Sequence, residues 1–429
     1  MEKSNFYSVS WKNPDINLKI IGNFQLFNFC VDIFIGTNFM ANANLKNAKK
    51  QKNDEFYTQY QDIQKEVNAY LEYDKDVFRG KTILLPCDDP EWSNFTKFFA
   101  QNFENFGIKK LISTSFAVES KNMDIDYEPT LFESIDPRFD KAKTRCRGKI
   151  FTLSQDENHD GKINIDDLQW NYLEGDGDFR SDEVKKLRDQ ADIIITNPPF
   201  SLFREFVVWI MEADKKFLII GNINCISYSE IFPLLKNNKM WVGNRFNKRI
   251  NGKNMTFMVP DDYPMRGTEM YEECGKKFIS VAGTGWFTNL EHGRRHKPLQ
   301  LMTMADNIKF SRHKELRGKK YLKYDNYDAI EVPFTDAIPS DYDGVMGVPI
   351  SFLDKYCPEQ FEIMGMCENE DLYGLKTRVY NRQECQNAYQ LKFGKKGSYD
   401  LNASGVLTIE GIQEKVYQRI LIRRREGKD

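Results

Sequence analysis

The chain has 429 residues, more than one compact core of ordinary size and enough for a catalytic domain with a second lobe. With 41% hydrophobic, 14% aromatic and 29% charged residues the composition is ordinary for a globular protein. A formal net charge of -2 excludes a polycation, so any binding of nucleic acid must come from a local basic face.

Residues 1–39 are rich in Phe and Asn without clear periodicity, and a charged, helix-prone text starts at Met40. They are expected to be an extension, with Met40 the functional start. The most apolar stretch, 20–40, is interrupted by Asn23, Gln25, Asn28, Asp32 and Asn38 and lacks a basic start, so neither a signal peptide nor a spanning helix is expected. The cysteines Cys30, Cys87, Cys146, Cys225, Cys274, Cys357, Cys367 and Cys385 show no C-x-x-C spacing. That argues against a disulfide framework or thiolate zinc and points to a reducing cytoplasm.

From Lys81 short apolar runs alternate with amphipathic segments, the pattern of an α/β domain with a mostly parallel sheet. Strands are expected over 82–86, 111–116, 193–196 and 217–221. Between the first two, Asp89 can cap a helix, Pro90 suits its first position and Gly107 stops it. Ser201 is expected to cap a second helix with Leu202, Phe203, Phe206, Val207 and Ile210 on its apolar face. This core runs over 40–236. Beyond it the text turns β-rich, as in "MTFMVP", "FISVAG" and "GWFTNL", and a basic stretch covers 292–323. Residues 237–429 are expected to supply remaining sheet strands and a β-rich or α+β lobe, with a closing hairpin that turns near Gly411.

The most specific signal is "DIIITNPPF", a strand ending in Asn197-Pro198-Pro199-Phe200 at the carboxyl edge of the sheet, where ligands of α/β folds sit. An aromatic amine attacks a methyl sulfonium poorly, because its lone pair is delocalised into the ring. Acceptors that draw on its N–H groups restore density to nitrogen. Asn197 offers a carbonyl, the Pro198 peptide has no N–H and presents only its carbonyl, and paired prolines stiffen the turn. Phe200 offers a face for an extruded base, with stacking contributing about 1 to 3 kcal/mol against a base-flipping cost of a few kcal/mol. The plainer alternative is that the prolines end a buried strand and Phe200 fills the core.

Upstream, Asp178-Phe179 follows a Gly-rich turn and suits an adenine, accepting from its amino group and stacking on its ring; a solvated turn is the alternative. In "LLPCDDPEWSNF", a strand is followed by Asp88-Asp89-Pro90 without the glycines of a pyrophosphate-binding fingerprint. Carboxylates there suit a cationic, hydroxylated ligand such as S-adenosylmethionine, with Asp88 the ligand and Asp89 also a cap. In "NDEFYTQ", Tyr57 and Thr58 can hold the methionine carboxylate through hydroxyl and backbone N–H groups.

In this order, "KNDEFYTQ", "CDDPEWSNF", "GDGDFRS", "NPPFSLFREFV", "FLIIGN" and "GWFTNL" resemble the EcoRI-type adenine-specific DNA methyltransferase family, over roughly 47–290, with echoes in "GVMGVPISFLDKY" and "YQRILIRR". The resemblance implies a Rossmann-like methyltransferase domain with a target-recognition lobe behind it. It further implies methyl transfer from S-adenosylmethionine to adenine in double-stranded DNA, with a cognate restriction endonuclease as functional partner. By the same resemblance Tyr57 and Thr58 fall at the methionine moiety, Asp88, Asp89 and Pro90 in the cofactor loop, Asp178 and Phe179 at the cofactor adenine, and Asn197 to Phe200 at the target base. The acidic residue that should hold the ribose is unclear, since "STSFAVES" offers only Glu119, late. The expected enzyme is a cytoplasmic monomer. Alternatives are methylation of cytosine, RNA or a protein glutamine, and a DNA-binding regulator with a decayed cofactor site.

Of the remaining signals, Arg294, Arg295, Lys297, Arg312 and Lys314 are expected to contact phosphates, with a merely solvated face as the alternative. "DENHDGKINIDD" matches a calcium loop through Asp156, Asn158, Asp160 and Asp167, yet its strand-like flanks favour a hairpin turn at Asp160-Gly161. His292 and His296 lack a ligand partner at metal spacing, and Cys87 sits at the cofactor turn rather than on the catalytic strand. No metal is expected.

Overall fold

The computed structural model describes residues 57–89, 93–117, 136–244, 255–259 and 270–425. The chain enters through β1 (Tyr57–Thr58) and α1 (Tyr60–Tyr73), then runs β2 (Thr82–Leu85), α2 (Asn94–Gln101), β3 (Lys110–Ser115), β4 (Lys149–Leu153), β5 (Gln169–Tyr172), α3 (Asp182–Gln190), β6 (Ile193–Thr196), α4 (Phe203–Glu212) and β7 (Lys216–Asn222). Next come β8 (Trp241–Val242), β9 (Thr256–Val259), β10 (Met270–Glu273), β11 (Lys276–Ser280) and β12 (Thr284–Thr288). The last part carries β13 (Ala329–Glu331), β14 (Val345–Pro349), β15 (Phe361–Met366), α5 (Arg382–Phe393), β16 (Val406–Ile409), β17 (Ile412–Lys415) and β18 (Arg419–Arg424).

Eight strands form the main sheet, in the order β5-β4-β3-β2-β6-β7-β12-β8. Its centre, β3-β2-β6-β7, is parallel, as the alternating text implies, because each connection passes through a helix. All residues of β2 and β6 are buried, so both faces are covered. Ile83, Leu85, Ile193, Ile195, Leu218 and Ile220 pack with α1 and α2. On the opposite face Leu84, Ile112, Ile194, Phe217 and Ile219 pack with Val184 of α3 and with α4. All four expected strands are present within a residue at each end.

Several local expectations are corrected. Ser93, not Asp89, caps α2, its hydroxyl accepting from Phe95 N at 3.1 Å. Gly107 (φ 64) ends a separate short helix, Phe103–Phe106, rather than α2. Ser201 lies inside a 3-10 turn, Phe200–Leu202, and α4 begins after it without a side-chain cap. The stretch 154–168 joins antiparallel β4 and β5 as a wide connection rather than a tight hairpin. By contrast, β16 and β17 form the expected closing hairpin, turning through Glu410 (φ 51) and Gly411 (φ 80). Left-handed φ at both central residues matches the twist of the flanking strands.

The change of character at 237 falls inside the main sheet, since β12 joins it antiparallel to β7 and β8 pairs antiparallel with β12. A four-stranded sheet β1-β9-β11-β10 stands beside it, and a third, β13-β14-β18-β15, carries the C-terminal region. The third sheet shares one apolar cluster with the main sheet: Met346, Val348, Phe361 and Ile422 pack in the same core as Phe217 and Phe287. The fold is thus mixed α/β with several sheets, one of them parallel at its centre. Among the described residues no helix is long and apolar enough to cross a membrane.

Candidate functional site

From β2 the chain moves to β3 on one side and returns through β6 on the other, so the connections reverse direction between β2 and β6. The ladder there pairs only Ile83 with Ile193 and Leu84 with Ile194. Meanwhile β2 stays paired with β3 through Leu85 and Ser113, and β6 with β7 through Thr196 and Ile219. The sheet therefore parts between β2 and β6 at its carboxyl edge, the usual ligand position in such folds. The loops leaving this gap carry Asp88 and Asn197.

A closed chain of contacts surrounds it. Thr196 Oγ1 donates to Asp88 Oδ2 at 2.5 Å, and Ser93 Oγ to Asp88 Oδ1 at 2.6 Å. Asp88 is only 4% exposed, and its backbone is fixed by Thr114 O (3.0 Å) and by the hydroxyls of Thr96 and Ser113. Asn94, next to Ser93, donates from Nδ2 to Thr58 O at 2.7 Å. Thr58 pairs with Phe257 across β1 and β9, and the Phe257 ring meets that of Phe200 edge-on at 6.0 Å. Phe200 closes the loop that begins at Thr196. Segments as far apart in the numbering as Thr58 and Phe257 thus converge.

The loop of Asp178 reaches the neighbouring strand end. Gly177 (φ 86) lies so close to Ser115 that a Cβ would collide with the Ser115 carbonyl, and Ala117 N donates to Asp176 O at 2.8 Å. The Asp178 carboxylate holds Arg180 through Nε (2.9 Å) and Nη2 (2.6 Å), which raises the guanidinium pKa, and Arg180 Nη1 reaches Glu205 of α4 at 3.2 Å. Phe179, 4% exposed, meets Phe206 and Trp209 edge-on at 5.1 and 5.6 Å, so its ring belongs largely to the core.

Among the expected cofactor and target residues, Tyr57, Asp89, Asn197, Pro199 and Phe200 are half-buried and Pro198 is buried. Thr58 is 2% exposed, and its Oγ1 has no hydrogen-bond partner among the described residues. Pro90, Glu119 and residues 1–39 lie outside the described residues. Ser93 and Thr196 were missed. The available signal was a lone hydroxyl ending the otherwise apolar strand "IIIT".

The basic stretch divides. Arg295 is 6% exposed, with its guanidinium 4.0 Å from the Trp241 ring centre and Nη2 donating to Asn238 Oδ1 at 2.9 Å. Arg294 donates to Asn244 O at 2.6 Å and pairs with Asp354. Arg295 is thus held inside the fold, whereas Arg294 is half-buried and engaged with Asn244 and Asp354. Lys297, Arg312 and Lys314 are exposed, Arg312 pairing with Asp336 at 2.8 Å. His292 is buried, Nε2 meeting Val242 O at 3.1 Å, and burial lowers its pKa to about 4. His296 lies between Glu291 (2.9 Å) and Glu359 (2.8 Å).

In the acidic loop, Asp156 accepts from Gly161 N (2.8 Å), Asn158 from Asp160 N (2.9 Å) and Asp167 from Glu157 N and Asn164 N (both 2.9 Å). Backbone N–H groups are the partners seen there. Among the described residues no group of three or more His, Cys, Asp or Glu side chains could hold a metal ion.

Against known proteins, the model of the family described as "Adenine-specific methyltransferase EcoRI" matches residues 44–425. The chain is 43% identical over 325 residues to the type II methyltransferase M.EcoRI of Escherichia coli, covering 76% of this chain and 89% of that protein. It is 36% identical to M.MgeORF184P of Mycoplasma genitalium and 35% identical to M.MpnI of Mycoplasma pneumoniae, both type II methyltransferases, each match covering 78% of this chain and 90% of the relative. No solved structure matches. A match of this extent, over a chain whose motifs meet at one sheet edge, settles the family: the protein belongs to the EcoRI family of adenine-specific methyltransferases.

Proposed function

We propose that the protein methylates the exocyclic amino group of adenine in double-stranded DNA, with S-adenosylmethionine as methyl donor. The observation that carries this reading is the contact chain that brings Thr58, Asp88 and the Asn197 loop to the parting of one sheet. The residues fit the cofactor: a buried hydroxyl without a partner, as at Thr58 Oγ1 among the described residues, costs about 1 to 3 kcal/mol unless a ligand bonds it. The carboxylates of the Asp88-Asp89 turn suit a cation, and Asp178, at the adjacent strand end, can accept from an adenine amino group. When bound, the cofactor supplies a methyl group activated by its sulfonium.

The chain's own residues then bind and align. Asn197 Oδ1 and the Pro198 carbonyl accept from the two amino hydrogens, which restores density to nitrogen, and Phe200 stacks on the extruded base. Catalysis is alignment and polarisation, without a covalent enzyme intermediate. Residues 40–236 form the Rossmann-like methyltransferase core, and 237–429 complete its sheet and carry target recognition. Exposed Lys297, Arg312 and Lys314 hold phosphates. Because the relatives are named type II methyltransferases, a cognate endonuclease is the expected functional partner of this enzyme, which acts as a cytoplasmic monomer.

The test incubates the protein with S-adenosylmethionine and duplex DNA, then analyses the released nucleosides. N6-methyladenine is expected; N4-methylcytosine, or transfer only to RNA or a glutamine peptide, would replace the proposed substrate. Asn197→Ala should abolish turnover while cofactor affinity stays within about 3-fold, because the lost acceptor serves the reacting amine. Wild-type rates in that variant would overturn the assignment.

A further inference from the structure

Thr196 and Ser93 have no part in the roles proposed above, yet both are buried at the parting of the sheet, 0% and 4% exposed. The backbone ladder between β2 and β6 stops at Leu84 and Ile194. Beyond it, the 2.5 Å bond from Thr196 to Asp88 links the cofactor turn to the residue immediately before Asn197. The other oxygen of Asp88 takes Ser93, the cap of α2, and the next residue, Asn94, holds the carbonyl of Thr58. Hydroxyl donors to a carboxylate make short, strong bonds, and burial shields these two from competing water.

We infer that Asp88 acts as a clamp rather than mainly as a cofactor ligand, with Thr196 and Ser93 as positioning residues on its two oxygens. This rests on the proposed roles of the Asn197 loop and the Asp88 turn. The clamp fixes the separation between the loop that holds the methyl donor and the loop that holds the amine. In a direct displacement that separation governs rate far more than binding, since about 1 Å of misplacement costs on the order of 100-fold. Thr196 is therefore a positioning residue, acting through the backbone of Asn197.

The test compares Thr196→Val, which keeps the shape and loses the hydroxyl, with Thr196→Ser, which keeps the hydroxyl. Thr196→Val should lower kcat on duplex DNA by about 100-fold, with KM for DNA and calorimetric affinity for S-adenosylmethionine within about 3-fold of wild type. Thr196→Ser should recover most of the rate. Combining Thr196→Val with Asp88→Ala should be no slower than Asp88→Ala alone, because Asp88→Ala already removes the acceptor of the Thr196 hydroxyl. Ser93→Ala, at the other oxygen, gives an independent reading should Thr196→Val fail to fold.

Wild-type kcat in Thr196→Val, no rescue by serine, or a loss confined to cofactor affinity would each overturn the clamp. So would multiplying effects of Thr196→Val and Asp88→Ala, the pattern expected if Asp88 serves the cofactor directly. An active wild type beside an equally active Thr196→Val refutes the clamp alone. A wild type that makes no methyladenine overturns the clamp and the proposed activity together.

Discussion

Gly177 shows how one residue's backbone holds a loop in place. With φ 86 and no room for a Cβ against the Ser115 carbonyl, Gly177→Ala must strain the turn or push it off β3. The expected loss is about 1 to 3 kcal/mol of stability in urea unfolding, with weaker S-adenosylmethionine binding, because Asp178 moves with the turn. Arg295 makes a different case. Arg295→Ala removes a cation from the Trp241 face and leaves Asn238 without its donor. It should cost about 2 to 4 kcal/mol of stability without altering the salt dependence of DNA binding. Lys297→Ala with Lys314→Ala should do the reverse, reducing that salt slope by about 0.9 for each phosphate that is no longer neutralised while the melting temperature holds. Asn197 and Asp88 could be singled out because each follows an apolar strand in a turn marked by proline. Thr196 and Ser93 were not, since each is defined by its bond to Asp88, which for Thr196 lies 108 positions away. The burial of Arg295 was hidden for a related reason: a run of cations does not say which of them face inward.

Among the elements, the four strands at the centre of the sheet could be read because unbroken apolar runs bounded by turns have few other uses. Among the outer strands β8 escaped notice, whereas β12 lies in the β-rich "GWFTNL" and β4 and β5 are the strand-like flanks of the acidic loop. β8 has two residues, so it does not stand out from loop text. Helix starts were displaced because two acceptable caps lay within one turn, and Ser93 took the role while Asp88 and Asp89 stayed in the preceding turn. The closing hairpin was legible because glycine marks a turn requiring positive φ. Its other central residue, Glu410 at φ 51, is poorly suited to that conformation. Glu410→Asn should therefore raise unfolding free energy by roughly 0.5 to 1 kcal/mol, measured as a higher melting temperature.

For the whole molecule, pH acts at the junction of the main and C-terminal sheets, where His292 sits beside Tyr356 and Asp354 in one small cavity. Burial lowers its pKa from an ordinary 6.5 to about 4, so it is neutral when folded near neutral pH. Between those values the unfolded chain binds a proton that the fold refuses. Stability should thus fall as pH drops from about 6.5 to about 4, by about 3 kcal/mol in all. His296 works in the opposite sense: partial burial disfavours its charge, but the hydrogen-bonded Glu359 and Glu291 raise its pKa, so its contribution is present at low pH and lost as pH rises. His292→Gln, which keeps a donor for Val242, should flatten the acid side of the profile in urea unfolding; an unchanged slope would assign it elsewhere.

β12 lies between β7 and β8, and apolar residues of the C-terminal sheet complete the core beneath α4. A chimera cut at 237 would tear a strand from the interior of one partner and ask the other's to match its every side chain. New sequence preferences in this family should therefore arise by exchange of surface loops, as substitutions on a shared chassis, and not by recombination of halves.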